Sequence, residues 1–328
     1  MYIVTGGAGF IGSAMIWKLN QMGIDDILVV DNLASTDKWK NLVNLKYSDY
    51  LHKDQFLKFM AEGEDPFGTQ AVIHMGACSS TTELDADYLM ENNLRYTQVL
   101  CRFVLKNSVR FLNASSAATY GGGEKGFCDN HDGLENLKPL NMYGYSKHLF
   151  DLWANRAGIL DRIACLKFFN VFGPNEYHKG DMMSVICKAH KQIGQTGAMR
   201  LFKSYRAEFP NGGQMRDFVY IKDCVDILWW LLENPQVNGV FNVGTGIART
   251  WNDLARAVFA AMGKTPDIGY IEMPEAIRDK YQYMTQADMG KLRAAGYTAE
   301  LTSLEDAARD YVTGYLDKDD PYLDSREG

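Results

Sequence analysis

The opening stretch, MYIVTGGAGFIG, constrains this chain more than any other. Tyr2, Ile3 and Val4 form a short apolar run, and Gly6, Gly7, Gly9 and Gly12 follow at once. That order reads as a buried strand, a tight turn and the opening of a helix. Backbone N–H groups at such a helix start can reach phosphate oxygens directly only if no side chain stands in the way. Gly6 and Gly9 permit the approach, and Gly12 lets the helix lie close to the strand. The helix then places Ile11, Met15, Ile16 and Leu19 on one face and stops at Gly23. A second apolar run, Ile27 to Val30, ends in Asp31, about 20 residues beyond the last of these glycines, the spacing of a dinucleotide-binding βαβ unit.

The chain is 328 residues long and 46% hydrophobic, room for one large α/β unit with a smaller lobe. No apolar run is long enough to span a bilayer and no charged-then-apolar leader precedes Tyr2, so the expectation is a cytoplasmic protein with no membrane partner. A net charge of -7 argues against a nucleic-acid partner. The six cysteines (Cys78, Cys101, Cys128, Cys165, Cys187 and Cys224) are scattered without CxxC or paired-histidine spacing, so neither a metal site nor a disulfide framework is expected.

Asp31 ordinarily accepts hydrogen bonds from a ribose 2'-hydroxyl and so favours NAD. Lys38 and Lys40, close behind, offer a counter-charge for a 2'-phosphate instead, and spacing does not choose between them. Further strands are expected at Tyr47 to Asp49, at Ala71 to His74 ending in Met75-Gly76-Ala77, and at Arg110 to Ala114 ending in Ser115-Ser116. His74, flanked by apolar residues, reads as a core histidine, and Asp85 to Lys106 reads as a long helix carrying Asn92 and Asn93. Alternating strands and helices imply a doubly wound parallel sheet that binds its ligands at the carboxyl ends of the strands.

Downstream, Tyr143 and Lys147 stand one turn apart on a helix running to about Arg156. A phenol is a poor base at neutral pH, and a cation one turn away favours the phenolate. Ser115-Ser116, at a strand end, supplies a hydroxyl for the same substrate oxygen. The rest divides into Phe218 to about 250, which returns to the nucleotide domain, and two stretches without simple βα alternation. The expected domains are therefore 1–170 plus 218–250 and 171–217 plus 251–328. Thr250 and Asp253 form a helix-capping signal, the tryptophans read as packing, and the tail from Asp317 reads as disordered.

Together these residues resemble the extended short-chain dehydrogenase/reductase family. Thr5 to Gly12, Asp49, Ser116, Tyr143-x-x-x-Lys147, Phe169 to Pro174, Arg216 to Tyr220 and Asn242 to Gly246 all match its pattern. More narrowly, Leu28 to Leu33, Gly76 to Glu83, Ala114 to Gly122, His178-Lys179-Gly180 and Thr285 to Asp288 resemble the branch that inverts carbon 6 of an ADP-linked heptose, a precursor of the lipopolysaccharide core. That resemblance implies a Rossmann fold with a smaller α/β substrate lobe, a homo-oligomer (a pentamer), and NADP rather than NAD, with Lys38 toward the 2'-phosphate. It assigns the dinucleotide to Gly6, Gly9, Phe10, Ile11, Gly12, Asp31, Asn32, Lys38, Lys53, Met75, Gly76, Ala77, Cys78, Ser79, Asn92, Lys147 and Val171. The sugar falls to Ser116, Asn170, Phe202, Arg216 and Tyr281, with Asp181 and Lys188 standing where Ser and His are usual and Ala207 to Gly213 inserted before Arg216.

Catalysis falls to Ser116, Tyr143 and Lys147, with Lys179 as a second base; a loop lysine on the ADP phosphates is its other reading. Ala117 and Ala118 replace the Asp-Glu pair that a dehydratase of this family needs. A UDP-sugar 4-epimerase shares Ser116, Tyr143 and Lys147 and stays open, as does a non-catalytic NADP-binding sensor.

Overall fold

The computed structural model describes residues 1–63, 65–278 and 281–326. Six short apolar runs become the strands β1 (Tyr2–Thr5), β2 (Ile27–Asp31), β3 (Asp49–His52), β4 (Ala71–His74), β5 (Arg110–Ser116) and β6 (Ala164–Phe168). Then come β7 (Asn170–Phe172), β8 (Met199–Phe202), β9 (Met215–Tyr220), β10 (Gly239–Val243), β11 (Ala248–Thr250) and β12 (Ile268–Ile271). Seven of them form one sheet in the order β10-β6-β5-β4-β1-β2-β3, every neighbouring pair parallel. β2, β4, β6 and β10 are buried along their whole length, because helices cover both faces of the sheet. The strand order reverses beside β1, and the carboxyl ends of β1 and β4 open the crevice there. This is the doubly wound Rossmann arrangement.

Two smaller sheets, β11-β9-β7 and β12-β8, build the second lobe. The expected boundary at 217/218 falls inside β9, which pairs with β7 and with β11. The helix Trp251–Ala261 starts at a capping box of Thr250 and Asp253. His74 is indeed a core residue, held between the hydroxyls of Thr5 and Thr97, and burial keeps its pKa well below the usual value.

The structure corrects two expectations. The third strand is Asp49–His52 rather than Tyr47 to Asp49, because its register sets Asp31 beside His52. Asp49 therefore lies exposed at the end of the sheet away from the crevice, and Lys53 is the residue that arrives at it. The tail is also ordered through Arg326 rather than disordered. Leu323 is buried and its N–H donates to Asn175, while the Trp17 indole donates to the Asp324 carbonyl. A few apolar contacts anchor a segment whose composition is otherwise polar.

Candidate active site

Two cavities adjoin at the carboxyl ends of β1, β2, β4 and β5. The larger, of about 630 Å3, runs from the glycine turn past Ser116 and Tyr143 to the loop carrying Lys179. The smaller, of about 130 Å3, lies between Asp31, Lys38, Lys53, Cys78 and Asn92.

The glycine turn explains its own composition. Gly6 has φ of 64°, and a Cβ there would meet the backbone of Gly76 at 2.6 Å. A Cβ on Gly12 would meet the Gly6 carbonyl carbon at 2.7 Å. The helix Phe10–Gln21 begins at Gly9 with no side-chain cap, so its first N–H groups are left facing the cavity. Asp31 accepts from the Ala8 N–H at 2.9 Å and from Lys38 Nζ at 2.6 Å, which ties the turn to the end of β2. Lys53 Nζ donates to Asn92 at 2.8 Å. An uncapped helix start, a cradle that any side chain would fill and an acceptor with an ammonium beside it suit a dinucleotide.

Of the residues assigned to it by resemblance, Gly6, Gly9, Phe10, Ile11, Gly12, Asp31, Lys38, Met75, Gly76, Ala77, Ser79, Lys147 and Val171 line the larger cavity. Asn32, Lys53, Cys78 and Asn92 line the smaller one.

Tyr143, Lys147 and Asp151 share one face of the helix Met142–Arg156, whose start is capped by Asn141. The expected electrostatics differ from those found. Burial raises the Tyr143 phenol, and a hydrogen bond with Ser116 is what opposes it. Lys147 Nζ instead donates to the Ala114 carbonyl at 2.8 Å, and burial brings its pKa down to about 8. Behind it, buried Asp151 accepts from Ser115 Oγ at 2.7 Å, with Lys167 Nζ 3.7 Å away. This rigid layer fixes the helix that carries Tyr143.

In the same cavity, Lys179 projects from the turn Tyr177–Met182 with its ammonium 5.1 Å from the centre of the Phe10 ring. Burial lowers its pKa. Tyr143 and Lys179 thus line one cavity from two different elements.

The sugar-side residues divide. Ser116 and Asn170 line the larger cavity. Arg216 lies over the rings of Trp251 and Tyr281, at 5.7 and 5.1 Å, and Trp251 Nε1 donates to the Tyr281 hydroxyl, so the pair reaches the cavity through Trp251. Phe202, Asp181 and Lys188 stand outside the described lining. Lys188, on the helix Val185–Thr196, donates to the Asp181 carbonyl.

Sequence reasoning gave no role to His178, Thr36, Met182 or Trp251, all of which line the cavity. Trp251 had been read as packing. Adjacency to Lys179 and to Thr250 was the available signal for two of them.

The fold and site define an enzyme class: one that binds a dinucleotide at a Rossmann crevice and sets a serine–tyrosine–lysine group beside it. The chain matches the NAD dependent epimerase/dehydratase family over residues 2–244 and belongs to it. It is 65% identical over 323 residues to the ADP-L-glycero-D-manno-heptose-6-epimerase of Nitratidesulfovibrio vulgaris strain Hildenborough, covering 98% of this chain and 100% of that one. It is 48% identical over 332 residues to the protein of that name from Fusobacterium nucleatum, covering 98% and 100%. Among solved structures, the Helicobacter pylori ADP-L-glycero-D-manno-heptose-6-epimerase superposes with a TM-score of 0.80 at 26% identity, covering 95% of each chain. Thermotoga maritima UDP-glucose 4-epimerase shares the fold, with a TM-score of 0.75 at 24% identity over 95% of this chain and 97% of that one.

Proposed function

We propose that this chain inverts carbon 6 of the heptose in ADP-D-glycero-D-manno-heptose to give ADP-L-glycero-D-manno-heptose, a precursor of the lipopolysaccharide core. Near-full-length identity to enzymes of that name supports the reading. The observation that carries it is the placing of Tyr143 and Lys179 on one cavity from two different elements.

The hydrogen at carbon 6 has no carbonyl beside it, so direct proton abstraction lacks an acidic hydrogen. Oxidation to a 6-ketone, rotation of that ketone and reduction on its other face is the remaining route. A dinucleotide held by the glycine turn, Asp31 and Lys38 supplies the hydride acceptor and donor for this chemistry. Tyr143 takes the proton from the carbon-6 hydroxyl on one face, with Ser116 holding the same oxygen. Lys147, held to the Ala114 carbonyl, lines the same cavity and holds the dinucleotide, and Lys179 serves the oxygen on the opposite face. Asn170, Arg216 and Tyr281 hold the rest of the nucleotide sugar.

The dinucleotide is NADP, because two ammoniums, Lys38 and Lys53, line the cavity at the Asp31 carboxylate. The seven-stranded sheet with its helices forms the cofactor domain, and the two smaller sheets with the chain around them form the substrate domain. The enzyme is a homo-oligomer that acts in the cytoplasm. Among the described residues no helix is long and apolar enough to cross a membrane.

The test uses an ADP-linked mannose whose carbon 6 is an aldehyde, which two molecules can dismutate to alcohol and acid. Tyr143→Phe and Lys179→Met each leave one face served and retain part of this dismutation, whereas both lose epimerisation. The double variant loses everything. Normal epimerisation by Lys179→Met would reduce Lys179 to a phosphate contact and favour a one-tyrosine 4-epimerase.

A further inference from the structure

Glu176 is completely buried, yet its carboxylate forms no ion pair among the described residues. Its Oε1 accepts from Ser184 Oγ at 2.6 Å, from the Tyr311 hydroxyl at 3.0 Å and from the Gly173 N–H at 3.4 Å, and its Oε2 accepts from the Ser184 N–H. Gly173 and Ser184 are the two ends of the segment whose middle carries His178 and Lys179. One carboxylate therefore closes that segment into a loop, and Tyr311 of the helix Leu304–Tyr311 fixes it to the second lobe. The Lys179 N–H also donates to the Glu176 carbonyl, at 3.1 Å.

Stability alone does not account for such a group. A buried charge costs several kcal/mol of desolvation, and an apolar residue of similar volume commonly does as well. The cation it serves is close by. Lys179 has no carboxylate within ion-pair distance among the described residues, and Glu176 is the nearby anion that favours its charged form against burial and against Lys188.

We propose that Glu176 is the positioning residue for Lys179. Its carboxylate fastens both ends of the 173–184 loop and its carbonyl holds the Lys179 N–H, so Lys179 meets the second face of the ketone. This rests on Lys179 being the second base.

Glu176→Gln tests it. The amide keeps the shape, its oxygen accepts from the Ser184 N–H, and its NH2 faces two hydroxyls that can accept, while the long Gly173 N–H bond loses its acceptor. Epimerisation should fall roughly ten- to hundredfold in kcat with KM nearly unchanged, since a misplacement of about 1 Å costs up to about a hundredfold. Bound dinucleotide and Tyr143-face dismutation should be intact. The inflection of the pH profile owed to Lys179 should move to lower pH, because the groups left facing the ammonium are Lys188 of the helix Val185–Thr196, the neighbouring His178 and the Phe10 ring. Adding Glu176→Gln to Lys179→Met should bring no further loss, since the two act as one unit. Should the Gln variant fail to fold, Tyr311→Phe withdraws one donor from the carboxylate and should give a smaller loss with the same pattern.

Additive losses, or dismutation falling in step with epimerisation, would overturn the proposal by making Glu176 a purely structural residue. So would wild-type epimerisation by Glu176→Gln beside an inactive Lys179→Met, which leaves the base assignment standing. Full activity of Lys179→Met would overturn both.

Discussion

Replacing Gly12 by alanine tests the cofactor site at its tightest point. The new Cβ would stand 2.7 Å from the Gly6 carbonyl carbon and 2.9 Å from the Gly7 Cα, and closer still to the Gly6 oxygen. An unstrained carbon contact is about 3.5 to 4.0 Å, so helix and turn must separate by roughly 1 Å. Both sides of the clash are backbone, which no rotamer change can relieve. Overpacking of this kind costs about 1 to 3 kcal/mol, and about 1 kcal/mol returns because alanine is the better helix former, so the protein stays folded.

Binding suffers more. A separation of roughly 1 Å takes a phosphate–amide hydrogen bond beyond its useful length, and a bond to a charged group is worth about 1.5 to 3 kcal/mol. Loss of one or two such bonds weakens dinucleotide binding by roughly two orders of magnitude. Acid release and chromatography measure bound dinucleotide, and urea unfolding of the dinucleotide-free protein measures stability. Gly194→Ala is the control, since its Cβ meets nothing within 4 Å on an exposed helix face; it should gain about 0.5 to 1 kcal/mol and keep its cofactor. Wild-type dinucleotide content in Gly12→Ala would refute the reasoning.

Tyr143→Phe should lose turnover by roughly two to four orders of magnitude with cofactor still bound, and a loss under about tenfold would remove Tyr143 from the chemistry. Lys38→Ala should shift bound dinucleotide from NADP toward NAD, measured by the same chromatography; NAD alone in the wild-type protein would contradict the role given to Lys38. His148 is buried with Nδ1 unpartnered, and its pKa is held down to about 4 by burial and then by Lys167. The unfolded chain takes that proton near pH 6.5 and the native protein only near 4, so stability should decline as pH falls through this window. Urea midpoints of His148→Leu should decline less over the same range.

What the sequence made legible was local. The glycine turn, Asp31, the Tyr143–Lys147 spacing and the Thr250–Asp253 cap each lie within one strand–turn–helix or one helical turn, where chain geometry leaves few alternatives. The misread features depend on partners far along the chain. β3 takes its register from β2, and the tail is ordered by Asn175 and Trp17. Likewise, Lys147 is turned from Tyr143 to a carbonyl of β5 by the way the helix seats on that strand. Glu176 looks like an ordinary loop carboxylate until the helix Leu304–Tyr311 brings Tyr311 to it.

Transient oxidation at carbon 6 is the claim on which the account turns, and solvent exchange tests it directly. The protein is incubated with ADP-D-glycero-D-manno-heptose in deuterium oxide without added cofactor, and the product is read by NMR. Both carbon-6 epimers should appear, with hydrogen rather than deuterium at that carbon, because the hydride leaves and returns within one closed site. Deuterium at carbon 6 would contradict the account, as would a protein inert toward this sugar that interconverts UDP-glucose and UDP-galactose.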